Sequence, residues 1–368
     1  MLCLYGLGTN IGIKGVSRGD HGEEYEDLLY VQKRFIQKES LENAIAQVNN
    51  ATLAIPQPYI WGDGSMSCAS DSRRFAAQGE NLKTSWHVRY RQRGVMVYWH
   101  IERKSLAIFS QLLSPSSSEA AAMIQGIIRH ITEMKVDRNY VDTHGQSEVA
   151  FAFCHLLGFD LMPRLKGIHR QKLYHSGTRQ LEAYPNLQSI MSRPIKWLLV
   201  HKQYDDMIRY ASSLLFGTAD AESILQRFTR SNLQHPTYQA FVELGRAVKT
   251  IFLCRYLRMI DLRREIQEGL NVIENWNSAN RFIFYGNVGE LISASLLNQQ
   301  TSALSMHLLQ NSLVYVNTLM LQHVLNQPGW YDRMTDDDWR GLTPFFYRHV
   351  NPYGTFQLNM DLRLPRLV

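Results

Sequence analysis

Three carboxylates stand at places in this sequence where they could do chemistry. Asp71 lies in the strand-like stretch CASDSRRF, where a buried carboxylate would need a partner such as a cation. Asp142 follows NYV and precedes THG and the helical pattern SEVAFAFCHLLG, so a strand ends there and a helix is about to start. Glu274 lies far downstream, in EGLNVIENWNSANRF. Taken singly, each acid also has an ordinary structural explanation. Asp71 fits a surface-facing strand residue, Asp142 a turn or helix-cap residue and Glu274 a solvated helix residue.

The elements predicted around these acids bring two of them together. The stretches MSCASDSRRFAA, GVMVYWHIE and LAIFSQLL read as strands. A helix follows over SPSSSEAAAMIQGIIRHITEM, with Ser116 and Glu119 spaced as a capping box, and then come a strand at NYVDT, a helix at SEVAFAFCHLLG and a strand at FDLMPRL. This is the element order of the ribonuclease H fold, in which the first and fourth strands are sheet neighbours. In that fold Asp71 and Asp142 point into one cleft.

A third carboxylate on a later helix would complete a site for two divalent cations. Magnesium is a hard cation that takes oxygen ligands at roughly 2.0–2.1 Å, so a few carboxylates together with substrate phosphate oxygens suffice. Two such ions about 3.5–4 Å apart can activate the attacking oxygen and stabilise the leaving oxygen during displacement at phosphorus. Carboxylates held this close repel one another unless a cation is bound.

The patterns divide the chain into four parts. Residues 1–60 form a mostly helical N-terminal segment, 61–175 the first part of an α/β ribonuclease H-like catalytic core, and 176–260 a large all-helical insertion. Residues 261–368 hold the last catalytic helix and a C-terminal helical part. Residues 291–331 lack any charged Asp, Glu, Lys or Arg, but amides interrupt the stretch throughout. We therefore predict buried helices there, with no membrane segment.

The composition indicates a folded protein and leaves few other enzyme classes open. With 368 residues, of which 45% are hydrophobic, the chain can bury a sizeable core, and its net charge of +6 is compatible with a nucleic-acid partner. The four dispersed cysteines predict reduced thiols in a cytosolic protein. No H-x-x-x-H pair or G-x-S-x-G elbow occurs, and the glycines of YGLGTNIG lack the dinucleotide spacing.

Five stretches carry a resemblance to a known family: WGDGSMSCASDSRRF, the long run from SWHVRYRQRG to QGIIRH, YVDTHGQSEVAFAFCHLLGFDLMPRLKGI, LRREIQEGLNVIENWNSANRFIFYG and HLLQNSLVYVNTLMLQHVL. They resemble the transposases of the replicative Tn-three family, and the likeness runs from LYGLGTNIGIKG to VNPYGTFQLNM. Enzymes of that family carry a DDE triad on a ribonuclease H-like core. The matching positions are Asp71 in ASDS, Asp142 in VDTHG and Glu274 in GLNVIENWN.

The resemblance implies a DNA transposase. Such an enzyme uses two Mg²⁺ ions, for which Mn²⁺ can substitute, to cleave DNA at the transposon ends and transfer the freed 3′ hydroxyls to target DNA. Asp71, Asp142 and Glu274 would be both the catalytic residues and the metal ligands. The implied partners are transposon-end and target DNA and a second copy of the chain in the active complex. The implied location is the bacterial cytoplasm, at the nucleoid, without a membrane.

Basic residues near the expected cleft are candidates for phosphate contacts. Arg89, Arg91 and Arg93 lie in the turn after the first strand, and a generic solvated basic surface is the competing interpretation for any one residue. We predict DNA contacts for these side chains: Arg73, Arg74, His144, Arg164, Lys166 and Lys172.

Two alternatives stay open at the level of the sequence. Full-length members of the family carry a long N-terminal part that recognises the inverted repeats, whereas this chain begins close to the catalytic half. It could therefore be a truncated, inactive remnant that binds DNA or full-length transposase. A general two-metal nuclease would instead cut DNA without needing transposon ends and would not join strands.

Overall fold

The computed structural model describes residues 1–61, 66–88, 90–177, 184–228 and 234–353, apart from the side chain of His144. The strands are Ser67–Ala76 (β1), Ser85–His87 (β2), Gln92–Glu102 (β3), Ala107–Leu113 (β4), Arg138–Val141 (β5), Asp160–Pro163 (β6), Leu173–His175 (β7) and Met191–Pro194 (β8). The helices are Leu2–Gly8 (α1), Ile13–Val16 (α2), Tyr25–Phe35 (α3), Lys38–Ala54 (α4), Pro58–Trp61 (α5), Glu119–Arg129 (α6), Glu148–Leu156 (α7), Trp197–Lys202 (α8), Tyr204–Phe216 (α9), Ala221–Arg227 (α10), Pro236–Arg258 (α11), Ile260–Ile283 (α12), Leu296–Leu325 (α13) and Asp336–Gly341 (α14).

The fold is mixed α/β, and β1 lies in the middle of its main sheet. The strand order is β2-β3-β1-β5-β6, and β4 also pairs with β3. Strand β1 runs antiparallel to β3 and parallel to β5, and β5 runs parallel to β6. The first and fourth predicted strands, which correspond to β1 and β5, are therefore sheet neighbours as predicted.

Helices cover both faces of this sheet, and the alternation of side chains along each strand decides which helix a residue meets. On β3, the His100 ring hydrogen-bonds the carbonyl oxygen of Met123 in α6. The neighbouring Trp99 points to the opposite face, where its ring contacts Trp276 of α12. The register of β1 against β3 places Asp71 opposite Trp99, so the odd-numbered side chains of β1 face α12.

Helix α13 accounts for the stretch without charges. It is buried along much of its length, and its amides bond inside the core. Asn311 donates to the side chain of Asn49 at 2.6 Å and to the carbonyl oxygen of Ala107 at 2.8 Å, and the Trp61 indole donates to Gln322 at 2.9 Å. These bonds offset the cost of burying amides. The interpretation as a buried helix is confirmed, and in the described part of the chain no helix is long and apolar enough to cross a membrane.

Two local predictions are wrong. The cap of α6 is Ser118, whose side chain accepts from the backbone N–H of Ala121, and not Ser116. The segment 176–260 is not all-helical, because β8 lies within it and pairs in parallel with β7. A buried carboxylate holds this short strand in place: Glu243 of α11 accepts hydrogen bonds from Arg193 of β8. The four-part division of the chain itself stays a prediction.

Candidate active site

Asp71 and Asp142 emerge side by side from neighbouring strands. The parallel pairing of β1 and β5 ends at Ser70 and Val141. Asp71 is the next residue within β1, which continues to Ala76, and Asp142 directly follows β5. Asp142 thus lies at the carboxyl end of a parallel strand, where ligands commonly bind. Beyond Asp142 the chain turns at once into a 3₁₀ turn and then into α7, whose first turn is capped by the Ser147 hydroxyl.

Helix α12 brings Glu274 to the same face of β1. Gly269 allows this helix to lie directly on the ring of Tyr140 in β5, since a Cβ at position 269 would meet that ring at 2.4 Å. The guanidinium of Arg73, two residues after Asp71, donates to the backbone carbonyl of Asn277. The link between Glu274 and Asp71 is electrostatic, because the negative charge of Glu274 raises the pKa of Asp71.

The electrostatics of Asp71 link it to three other acids. Burial is the largest cause that raises its pKa, and the negative charges of Glu119, Asp142 and Glu274 raise it further. A hydrogen bond from the backbone N–H of Ser72 at 2.8 Å opposes this shift. The resulting pKa of Asp71 is about 7, so its carboxyl group ionises near neutral pH.

The fourth acid, Glu119, acts on Asp71 through its charge and was not among the predicted residues. It lies in the first turn of α6, and its carboxylate accepts a hydrogen bond from the hydroxyl of Ser72 at 2.7 Å. The sequence pattern assigned Glu119 to a capping box with Ser116, which explained the acid by local structure alone. The signal that could have identified it is the alternation along β1, because Ser72 points to the face opposite Asp71 and there meets α6.

The negative charge of Asp142 is better compensated by its neighbours than that of Asp71. Burial on its own would raise its pKa, but hydrogen bonds from Thr143 and the positive charge of Arg164 outweigh burial, so the pKa of Asp142 is lowered. The guanidinium of Arg164 lies 3.2 Å from the carboxylate, and both side chains are more than a third exposed. Arg164 is thus a cation that partly neutralises this edge of the sheet.

These donors suit a hard divalent cation. Asp71, Asp142 and Glu274 offer only carboxylate oxygens, the ligand type that Mg²⁺ and Mn²⁺ prefer, and their mutual repulsion falls when a cation binds. Within the described residues, no three His, Cys, Asp or Glu side chains lie close enough together to hold a metal ion. In the described part of the chain the acids are therefore not drawn into a ligand cluster, and a shared metal site stays a prediction.

Comparison with known families agrees with this arrangement. The family model described as Tn3 transposase DDE domain matches residues 1–356, which include all four acids. The chain belongs to this family.

The curated relatives of this Tn3 DDE domain are transposases. The chain is 28% identical over 362 residues to the transposase for transposon Tn1546 of Enterococcus faecium, and 27% identical over 365 residues to that for Tn501 of Pseudomonas aeruginosa. Each alignment covers 98% of this chain and 36% of the relative. The transposase for transposon gamma-delta of Escherichia coli K12 is 25% identical over 343 residues, 91% of this chain and 34% of that protein. The Tn3 domain thus spans about a third of the length of these relatives.

Some of the basic residues predicted to bind DNA have partners inside the Tn3 domain. Arg73 bonds to Asn277 as described above, and burial is the main cause that lowers its pKa. Arg74 donates to the Gln92 side chain at 3.2 Å and to the backbone carbonyl of Arg93 at 2.9 Å.

The other predicted contacts lie around the same sheet edge. Arg164 pairs with Asp142, whereas Lys166 and Lys172, after β6, are exposed. The side chain of His144 and all of Arg89 lie outside the described residues. For all of these residues, DNA binding stays a prediction.

Proposed function

We propose that this Tn3 DDE domain cleaves DNA at transposon ends and joins the freed 3′ hydroxyls to target DNA. The observation that carries the proposal is the placement of Asp71 and Asp142 where the parallel pairing of β1 and β5 ends, with Glu274 on the helix that packs across β1. The relatives, which are transposases by name, support the same activity.

Asp71, Asp142 and Glu274 would together hold two Mg²⁺ ions, with Mn²⁺ able to substitute. When bound, the metal supplies a Lewis acid that lowers the cost of charge on the attacking and leaving oxygens at phosphorus. Asp71 must lose its proton to become a ligand, and because its pKa is raised to about 7, the proton competes with the cation near neutral pH. Arg164 limits the repulsion between Asp142 and an approaching phosphate.

The fold supports a ribonuclease H-like assignment for the core. We assign residues 61–175 and α12 to that core and residues 176–260 to an insertion that separates Glu274 from the two aspartates in the sequence. The match of the family model across all three proposed catalytic acids favours a transposase over a truncated, inactive remnant. Transposon-end and target DNA, a second copy of the chain in the active complex and a cytoplasmic, nucleoid-associated location belong to this proposal.

Strand transfer from a pre-cut DNA end with a free 3′ hydroxyl, in Mg²⁺ or Mn²⁺, tests the proposal. Asp142→Asn and Glu274→Gln should each lower joining at least about a thousand-fold, because both carboxylates would act as one catalytic unit with Asp71. Matched controls lie on the same elements: Asp137→Asn at the start of β5, where the acid pairs with Lys135, and Glu268→Gln on α12, where the acid pairs with Arg103.

Calorimetric titration with Mn²⁺ gives a second measurement that does not depend on activity. The parent and both controls should bind Mn²⁺, and the two site variants should bind it more weakly. Equal joining by the parent and both site variants would refute the assignment of these acids. Cleavage of DNA without any joining would indicate a general nuclease.

A further inference from the structure

The hairpin formed by β2 and β3 exposes an unusual set of side chains. Leu82, Trp86, Val88 and Tyr90 have 92%, 59%, 83% and 45% of their surface exposed. Residues 82–94 also carry four Lys or Arg residues and no Asp or Glu. Apolar side chains exposed this closely together mark a binding site, and the charge of the segment favours a polyanion over a protein or a lipid surface of mixed charge.

The base of this hairpin is fixed to the protein core. The side-chain oxygen Oδ1 of Asn81 accepts from the backbone N–H groups of Lys83 and Thr84 at 2.8 and 3.0 Å, and the side-chain NH₂ of Asn81 donates to the side-chain oxygen of Gln299 at 3.0 Å. Gln299 lies fully buried in the first turns of α13. The exposed tip is therefore presented from a rigid support.

The tip is shaped by its own aromatic contacts. The guanidinium of Arg74 lies 5.1 Å from the centre of the Tyr90 ring, and the ring of His87 contacts Tyr90 edge-on at 4.7 Å. Arg91 closes the turn with a φ of 49°, a left-handed conformation that is rare for residues other than Gly and Asn. Backbone held in this way often marks a functional segment.

The hairpin extends from the same strand that carries Asp71. Ala76 pairs with Gly94 at the start of β3, and Gly94 in turn pairs with Ser85 of β2. With a rise of about 3.3 Å per residue, the hairpin begins about 17 Å beyond Asp71 along β1. Consecutive nucleotides of one DNA strand are about 3.4 Å apart, so a DNA strand crossing the acidic site would reach the hairpin about five nucleotides from the reacting phosphate.

We propose that this hairpin binds DNA by stacking Trp86 and Tyr90 on exposed base faces, about five or more nucleotides from the reacting 3′ end. Aromatic rings stack on bases of any sequence, and Arg91 beside them would contact a phosphate of the same strand, whereas Arg93 pairs with Glu80. The inference rests on the proposed function, because it takes the substrate to be DNA.

The test uses DNA duplexes with a pre-cut end, in which 2-aminopurine replaces one base at a time between the second and tenth nucleotide from the 3′ hydroxyl. The emission of 2-aminopurine responds to unstacking from its neighbours and to stacking on an aromatic ring. We expect a change at one or two positions with the parent and no change with Trp86→Ala. We also expect Trp86→Ala or Tyr90→Ala to weaken DNA binding about five- to a hundred-fold.

Two further variants separate stacking from loss of structure. Trp86→Phe should keep most of the binding and of the emission change, because phenylalanine still offers a ring. Trp330→Ala is the matched control, because Trp330 is also an exposed tryptophan. It lies beyond the C-terminal end of α13, a helix of 30 residues and about 45 Å whose N-terminal end contacts the base of the hairpin. Trp330→Ala should bind like the parent.

Three possible results would overturn the hairpin inference, and only one of them would also overturn the proposed function. If Trp86→Ala and Tyr90→Ala bind DNA as tightly as the parent and change the 2-aminopurine emission equally, the hairpin inference is wrong and the proposed function stands. If the parent, correctly folded by circular dichroism, binds no DNA in Mn²⁺, the proposed function fails and the inference fails with it. If the hairpin variants change only self-association in size-exclusion chromatography, the hairpin is a protein contact and the inference is overturned.

Discussion

Glu243 and Asp71 are two acids of the same chain in opposite environments. The Glu243 side chain is only 4% exposed and pairs with Arg193 and Arg246, while the backbone N–H of Lys196 donates to it as well. Burial would raise its pKa, but these partners outweigh burial and lower it. Around Asp71 the neighbouring charges are acids, and its pKa is raised to about 7.

Under the proposed function, the difference separates an acid that stabilises the fold from acids arranged for an external ligand. The charge of Glu243 is neutralised from within the chain, and it holds β8 against α11. Asp71, Asp142 and Glu274 leave negative charge that the described residues neutralise mainly through Arg164. Crowded, weakly compensated carboxylates cost folding energy, and such costs concentrate at functional sites.

The largest loss of stability should come from Glu243→Gln. Removing the charge leaves two arginines without their shared partner, so we expect a loss of about 2–4 kcal/mol in the free energy of unfolding. Urea denaturation followed by circular dichroism at pH 7 measures it. Asp206→Asn, which breaks an exposed ion pair with Arg209 in the same helical segment, should cost less than about 0.5 kcal/mol. Equal losses in the two variants would contradict the structural role of Glu243.

Asp71→Asn, in contrast, should increase the free energy of unfolding. Folded Asp71 has a pKa of about 7 against an ordinary value of 3.8, so the folded state holds its proton more tightly. The resulting stabilisation is complete below about pH 4 and is lost as the pH rises through 7. Asparagine does not ionise, so the variant should be more stable than the parent by up to about 4 kcal/mol at pH 8 and within about 1 kcal/mol of it at pH 4.

Urea denaturation at the two pH values measures this difference without any substrate. A variant that is less stable than the parent at pH 8 would show that the carboxylate of Asp71 is compensated in the folded state. The contrast with Glu243 would then disappear.

The smallest effect is expected for Arg164→Gln. Removing this cation leaves Asp142 with less compensation, so the site should attract a divalent cation more strongly. We expect Mn²⁺ affinity to rise about two- to five-fold, since the pair is partly exposed and worth less than about 1 kcal/mol. Calorimetric titration compares it with Lys166→Gln, which removes an exposed cation nearby and should change little. Weaker Mn²⁺ binding by Arg164→Gln would mean that Arg164 holds Asp142 in its ligating position.

The strand arrangement around the site could be predicted because its signals are local. Asp142 lies between an apolar strand and an apolar helix with a serine cap, and each of these patterns is complete within about ten residues. Asp71 lies in a strand whose alternation is equally visible. The order of the elements then predicts that the strand that carries Asp71 and the strand that Asp142 follows are neighbours in the sheet.

Contacts between distant segments could not be predicted in this way. The role of Glu119 depends on Ser72, which meets it only because α6 packs on the even-numbered face of β1. Strand β8 lacks a pattern of its own and is held by Arg193 and its bond to Glu243 on a helix 50 residues downstream. The identity of Glu274 as a site residue came from family resemblance, since nothing in its own helix distinguishes it from other exposed glutamates.

The wide separation of the acids has a consequence during protein synthesis. More than 130 residues separate Asp142 from Glu274, and α12 packs on β1 and β5 only after it has left the ribosome. At about 5–20 residues per second, a nascent chain would carry its two aspartates for roughly 7–26 seconds before the third acid is made. Under the proposed function, the nascent chain therefore lacks a complete active site and does not cleave nearby DNA until α12 has been synthesised.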